Sequence, residues 1–404
     1  ERIVTVVSAN SAELSAHIEA ALGEGSTAVQ DPPLGTGHAV CAAESALSGF
    51  KGDVIVLYGD TPLIPSTAVE ALFQELEAGA GVGVLGFHAE EPGAYGRLVT
   101  NEKGDLEAIV EAKDATPAEL QIDLCNSGVM ACRADRLFHL LSKVTNKNKK
   151  GEYYLTDIVG LAREEGARCT VVTCSEADVM GVNSRVELAK AEAAFQARRR
   201  EELLISGVTM TAPETVFLSH DTIIENDVVI EPNVVFGPGV HVRSGAKIRA
   251  FSHLEGASVD EGAEIGPYAR LRPGAKIGEG AKIGNFVEVK KTRVGKGAKA
   301  NHLAYLGDGE VGANANLGAG TIFCNYDGYF KYTTRIGEGA FVGSNSALVA
   351  PVSIGKGAYV GSGSVITEDV ADDALAVGRG RQVEKAGWAG EFRARMSEKK
   401  KSKE

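Results

Sequence analysis

Six cysteines are present (Cys41, Cys125, Cys132, Cys169, Cys174 and Cys324), yet the sequence has no CxxC pair and no Cys/His spacing suited to zinc. That excludes a zinc ribbon or a dithiol redox motif, and unpatterned thiols read as reduced cysteines of a cytosolic protein. There is no apolar run long enough to span a bilayer and no signal peptide, so membrane insertion is not expected. Positive charge is in deficit: 42 Lys and Arg face 54 Asp and Glu, giving a formal net charge of −12. Wholesale binding to nucleic acid is therefore not expected. Tryptophan occurs once, as Trp388, just before a basic run (KKKSK) that reads as a solvated tail. Glycine is abundant, with 49 copies, and it clusters in the repeat of the second half of a chain long enough for two or three domains.

In that half an aliphatic or aromatic residue recurs at every sixth position: Ile224, Ile230, Phe236, Val242, Ile248, Leu254. After a five-residue step the series resumes at Val259, Ile265, Leu271, Ile277, Ile283 and Val289. A second such step leads to Val294, Ala300 and Leu306, and a third to Val311, Leu317 and Phe323. An insertion follows, and the series closes with Ile336, Val342, Leu348, Ile354, Val360 and Ile366. A period of six fits neither a helix nor a single strand. It fits a parallel β-helix in which three hexads make one coil, the aliphatic residue points inward and Gly-containing steps turn the corners.

The first half alternates strand and helix patterns: IVTVV, a helix over Ala12 to Leu22, DVIVLYGDTPL, a helix over Ser66 to Ala78, and VGVLGF. This predicts an α/β domain with a mostly parallel sheet, whose ligands sit beyond the strand carboxyl ends. Both GTG (Gly35 to Gly37) and YGD lie at such ends. Asp60, in the latter, can hold Mg²⁺ against a nucleotide phosphate or cap the following helix. Asn126 and Asn183 are amides at a strand mouth and a helix start, and each alone is more often a cap than a ligand. A helix running to about Leu204 connects the two halves. The boundaries expected are 1–183 for the α/β domain, 184–205 for the connecting helix, 206–371 for the β-helix and 372–404 for the tail.

Chemistry is expected where the six-residue period fails. Residues 18 apart stack in successive coils, so Arg272 and Lys290 lie one above the other, and stacked cations predict an anion site unless they form a plain solvated face. His302, within ANHLAYLGD beside Tyr305, can deprotonate an amine, although a lone His is more often structural. The insertion IFCNYDGYFKYTT carries Asn325, Tyr326 and Lys331, and insertions in solenoids usually sit on the binding face.

Taken together, LGTGHA, YGDTPL, YGRL, VEAKDA, CNSG, EYYLTD, GVN, ARLRPGA, NFVEVKK, NHLAYLGD, GAGTIFCNYDG and FVGSNSALVAPV carry a resemblance over essentially the whole chain. The sequence resembles the bacterial bifunctional N-acetylglucosamine-1-phosphate uridyltransferase/glucosamine-1-phosphate acetyltransferases. The resemblance implies a Rossmann-like nucleotidyltransferase domain followed by a left-handed parallel β-helix, a cytoplasmic homotrimer, and small-molecule substrates feeding peptidoglycan and lipopolysaccharide synthesis. It implies that His302 is the general base and that Arg272 and Lys290 bind the sugar phosphate. Tyr305, Asn316 and Lys331 would place the sugar. Ala319, Asn325, Tyr326, Ser344, Ser362 and Arg379 would line acetyl-coenzyme A. In the first half, Gln30, Gly35 and Thr36 would contact uracil, Gly96, Glu111, Asn126 and Asn183 the sugar nucleotide, and Asp60 with Asn183 a Mg²⁺ ion.

The family opens with a strand and a Gly-rich loop bearing Arg and Lys, and none precedes Ile3 here. Little uridyltransferase activity and some exposed apolar surface are therefore expected of this sequence. The rival readings are a non-catalytic assembly module and a different sugar-nucleotide pyrophosphorylase that uses its β-helix only to oligomerise.

Overall fold

The computed structural model describes residues 2–148 and 150–402. These fall into two compact units, Glu1–Phe195 and Gln196–Glu404.

In the first unit the strands Thr5–Ser8 and Thr27–Gln30 pair in parallel as a separate two-stranded sheet. Ile3, Leu14, Leu22 and Val29 around them are about half exposed. The main sheet has six strands. Its longest, Leu124–Arg133, runs antiparallel to both Asp53–Val56 and Val82–His88, and Val82–His88 pairs in parallel with Cys169–Cys174. A mostly parallel sheet is thus not what forms. Strands 53–56, 82–88 and 169–174 share one direction, but the strand returning from the antiparallel pair Arg97–Thr100/Leu106–Val110 inserts among them in the opposite sense. Helices Ser66–Glu77, Ala134–Leu141 and Asp157–Glu164 bury Leu72, Leu137, Leu140, Ile158 and Val159 against this sheet.

The second unit is a left-handed parallel β-helix. Every aliphatic or aromatic residue of the six-residue series from Ile224 to Ile366 is buried in one continuous core. A second inward position, two residues before each of these, is taken mostly by Val or Ala, Val228, Val234, Val240, Ala246, Ala263, Ala281 and Ala298 among them, and elsewhere by small residues such as Ser252 and Thr292. A small side chain fits near a corner, where two faces of the prism converge. The coils hydrogen-bond in register every 17 or 18 residues, as in Ile224↔Val242↔Val259↔Ile277.

The five-residue steps after Val289 and Leu306 change this geometry. There the strands Glu288–Val294 and Tyr305–Val311 run through the corner without a break. They fuse two faces into one sheet of 14 strands beside the third face of 10. Buried Thr292 stitches the altered corner: Gly309 N–H donates to its Oγ1 at 3.1 Å, and its hydroxyl lies 2.9 Å from the Lys290 carbonyl. The final turns of helix Arg185–Ile205 close the lower end of the prism. Leu203 joins the core, and the Gln196 amide exchanges two hydrogen bonds with the Leu218 backbone, at 2.7 and 2.9 Å.

Candidate active sites

In the first unit the loop before helix Thr36–Ala42 is fixed by backbone pairing with Tyr153. Gly37 N–H donates to the Tyr153 carbonyl at 2.8 Å, and Tyr153 N–H to the Leu34 carbonyl at 2.8 Å. Gly35 has φ +107°, and a Cβ there would lie 2.6 Å from the Tyr153 carbonyl oxygen, so only glycine fits. Thr36 Oγ1 accepts from Leu155 N–H at 3.0 Å, and the Gln30 amide donates to the Gly35 carbonyl at 3.0 Å. Gln30, Gly35 and Thr36 therefore form one small cluster.

Gly96, Glu111 and Asn126 form a second. Asn126 N–H donates to the Gly96 carbonyl at 2.8 Å, and a side chain on Gly96 would meet Ile109 at 3.3 Å and the Glu111 carboxylate at 3.7 Å. The strand Leu106–Val110 ends just before Glu111, leaving it at the strand's mouth. Burial holds the Glu111 carboxyl above the usual carboxylate range. Asp60 sits four residues beyond the end of its strand at Val56, and helix Ser66–Glu77 starts from Pro65, so Asp60 does not cap it. Val182 N–H donates to the Asp60 carbonyl at 2.7 Å, which brings Asn183 next to Asp60. Both side chains are exposed oxygen donors. Among the described residues no cluster of three or more His, Cys, Asp and Glu could hold a metal. A carboxylate with an amide oxygen nonetheless fits Mg²⁺, which takes few protein ligands when phosphate oxygens supply the rest.

In the β-helix, Leu271 pairs with Val289, so Arg272 and Lys290 occupy matching places on adjacent rungs. Arg272 does not face Lys290 uncompensated, because its guanidinium donates to the Glu288 carboxylate at 2.8 Å. Lys290 instead meets Lys331, and that contact, with Arg272 behind it, holds its ammonium below the ordinary lysine range. His302 is exposed, and its Nδ1 lies 2.5 Å from Asn285 Oδ1 on the preceding coil. Tyr305 follows on the strand Tyr305–Val311, with its hydroxyl against Gly307, where an added Cβ would lie 2.5 Å from it. Asn325 is buried and donates from Nδ2 to Asp308 at 2.6 Å. Tyr326 and Lys331 pair across the base of the inserted loop, and Tyr326 is well exposed.

The other positions form a column. Leu317, Val342, Val360 and Ala376 are ladder partners in four successive coils. Two residues beyond each come Ala319, Ser344, Ser362 and Gly378, with Arg379 next in line and its Cδ 3.9 Å from where a Gly363 Cβ would sit. Asn345 N–H donates to the Ala319 carbonyl and Gly363 N–H to the Ser344 carbonyl. Ser344, Ser362 and Arg379 are exposed along this column, and Ala319 is half-buried. Asn316 lies on the adjoining face, between Lys299 and Phe341 in the ladder.

Asn285, Glu288 and Asp308 were not singled out by the sequence reading. Ladder arithmetic finds the first and last: 17 residues, the length of a coil with one five-residue step, separate Asn285 from His302 and Asp308 from Asn325.

The family model described as bacterial transferase hexapeptide (six repeats) matches residues 221–256, 256–291 and 333–368. The chain is 64% identical over 400 residues to a "Bifunctional protein GlmU" of Hyphomonas neptunium, covering 99% of this chain and 87% of that one. It is 61% identical to the protein of the same name from Maricaulis maris (100% and 88% covered) and 58% identical to that of Caulobacter vibrioides (100% and 88%). Two solved structures are more distant. LpxA from Acinetobacter baumannii has a TM-score of 0.32 at 18% identity, covering 46% of this chain and 77% of that one. A nucleoside-diphosphate-sugar pyrophosphorylase from Vibrio cholerae has a TM-score of 0.37 at 12% identity, covering 47% and 79%. On the strength of the full-length relatives, the chain belongs to the GlmU family of bifunctional proteins.

Proposed function

We propose that the exposed edge formed by Arg272, Lys290, His302, Tyr305 and Lys331 is the acetyltransferase site, and that the loop cluster of the first unit is the uridyltransferase site. The enzyme transfers acetyl from acetyl-coenzyme A to the amine of glucosamine 1-phosphate, and UMP from UTP to N-acetylglucosamine 1-phosphate. The product is UDP-N-acetylglucosamine for peptidoglycan synthesis. The observation that carries the acetyl-transfer reading is an exposed imidazole, His302, three residues before the strand Tyr305–Val311, which pairs with the strand bearing Lys290, itself in contact with Lys331 and near Arg272.

Arg272, Lys290 and Lys331 receive the substrate phosphate, which relieves the repulsion between the two lysines. Tyr305 and Asn316 place the sugar. His302 Nε2 takes a proton from the amine as its nitrogen attacks the thioester carbonyl. The new C–N bond forms, the C–S bond breaks, and the proton passes to the departing thiolate. Asn325 and Tyr326 flank the acetyl end, while Ala319, Ser344, Ser362 and Arg379 carry the rest of the coenzyme along the column. The pantetheine arm suits the small uncharged residues of the column, and Arg379 suits the phosphates of the coenzyme.

In the first unit, Gln30, Gly35 and Thr36 hold uracil, and Gly96, Glu111, Asn126 and Asn183 hold the sugar nucleotide. Asp60 and Asn183 would hold Mg²⁺, which would screen charge on the phosphates. The protein's own part is alignment: the Gly-lined walls let backbone approach the ligand closely. Six free cysteines support a cytoplasmic location. Among the described residues no helix is long and apolar enough to cross a membrane. A homotrimer is proposed as the working assembly, since the acetyl-transfer edge is open to solvent in one chain and a neighbouring copy would enclose it.

The test is product identity. The purified chain, acetyl-coenzyme A and glucosamine 1-phosphate should yield N-acetylglucosamine 1-phosphate by mass spectrometry, while glucosamine without its phosphate should be a far poorer substrate. Equal turnover of both sugars would remove the phosphate-binding role of the cations.

A further inference from the structure

The strand Lys282–Asn285 lies directly beneath Lys299–His302 in the ladder, with Asn285 paired to His302. The coils lie in close contact here: a Cβ on Gly284 would sit 2.7 Å from the Asn301 carbonyl carbon. Asn285 holds the next coil at two points. Its carbonyl accepts from Leu303 N–H at 3.0 Å, and its side-chain oxygen meets His302 Nδ1 at 2.5 Å. The imidazole is thus gripped on one nitrogen, from below, by a half-buried neutral amide.

We propose that Asn285 is a positioning residue that fixes the tautomer of His302, a role that rests on the reading of His302 as the general base. An amide oxygen accepts hydrogen bonds only, so against it the neutral ring carries its proton on Nδ1. Nε2 is then left with a free lone pair pointing away from the coil stack, as an acceptor of the substrate's amine proton must be. In the opposite tautomer Nδ1 would set its lone pair against Asn285 Oδ1, and Nε2 would already be occupied. The imidazolium formed during turnover keeps the same bond, so the ring need not turn between its two charge states. Among the described residues no carboxylate takes this role, and Glu288, the ladder partner of Tyr305, is engaged by Arg272 at 2.8 Å. Lys282 and Lys299 stand on the rungs of Asn285 and His302, Asn316 and Gly320 on the coil above, and Tyr305 follows on the same chain. The nearest acid in the column, Glu264, is engaged by Arg249 at 2.6 Å.

The experiment compares Asn285→Ala, Asn285→Asp and His302→Ala with wild type in pH–rate profiles of coenzyme A thiol release by the full chain. Asn285→Ala should lower kcat about tenfold or more while leaving KM for glucosamine 1-phosphate within about twofold, because only the base is disturbed. Asn285→Asp keeps the acceptor and adds a charge that favours the protonated ring. It should move the acid limb of the profile up by about one pH unit or more and recover most of kcat on the alkaline side. A merely structural role moves no limb. Wild-type kcat in Asn285→Ala together with an unmoved limb in Asn285→Asp, beside an inactive His302→Ala, overturns the proposal and leaves the base reading standing. Full turnover in His302→Ala overturns both.

Discussion

Asn325 reaches back across one coil to Asp308, donating from Nδ2 at 2.6 Å, and so ties the inserted loop to the strand that carries Tyr305. Asn325 is only 6% exposed, so its amide depends on this partner. Removing the carboxylate leaves a buried donor without an acceptor, which costs about 1–3 kcal/mol. Asp308→Ala should therefore lower the unfolding temperature of the β-helix and raise KM for acetyl-coenzyme A, as calorimetry and initial-rate assays would show. Asp308→Asn, which keeps an acceptor oxygen, should lose less of both.

Lys290 and Lys331 share one small volume, with Arg272 next to them. The contact holds the Lys290 ammonium below the ordinary lysine range, so as pH rises Lys290 loses its charge earlier than an isolated lysine would. The sign for substrate binding follows: phosphate affinity is full at neutral pH and falls as pH climbs through that lowered value. KM for glucosamine 1-phosphate should rise on the alkaline side. Replacing Lys331 with Met should move that rise to higher pH, even though it also raises KM throughout. A rise at the same pH in both proteins would show that the lysines do not interact.

Gly35 has a left-handed φ and a wall of Tyr153 backbone against it. Gly35→Ala adds backbone strain of about 1–3 kcal/mol and forces the loop off Tyr153. Binding of UDP-N-acetylglucosamine to the full chain, followed by titration calorimetry, should weaken at least tenfold by the ~1.4 kcal/mol per decade relation. Acetyl transfer resides in the other unit and should change less than twofold.

Much of the β-helix was legible because its packing is one-dimensional. A residue that must point inward every sixth position leaves a mark no neighbour can hide, and Ile224 to Ile366 are all buried as their spacing requires. The inward Val and Ala positions were not singled out, since alanine is common everywhere and carries no period alone. The first unit was less legible. VGVLGF and DVIVL read as parallel strands, and they do run the same way, but nothing local in CNSGVMA announces that it inserts between them antiparallel. Strand direction is set by the route of the connection, which is tertiary information. The same limit applies to Arg272. Its stacking on Lys290 follows from counting 18 residues, whereas its pairing with Glu288 depends on a side-chain choice among several charged neighbours.

The central claim is that His302 removes the amine proton in acetyl transfer. The direct measurement is thiol release from acetyl-coenzyme A with saturating glucosamine 1-phosphate, wild type against His302→Ala. The account predicts a fall in kcat of at least about a hundredfold, on the ~10²–10⁴-fold scale of general base catalysis, with KM for the sugar phosphate nearly unchanged. Turnover within a few-fold of wild type in His302→Ala would contradict it.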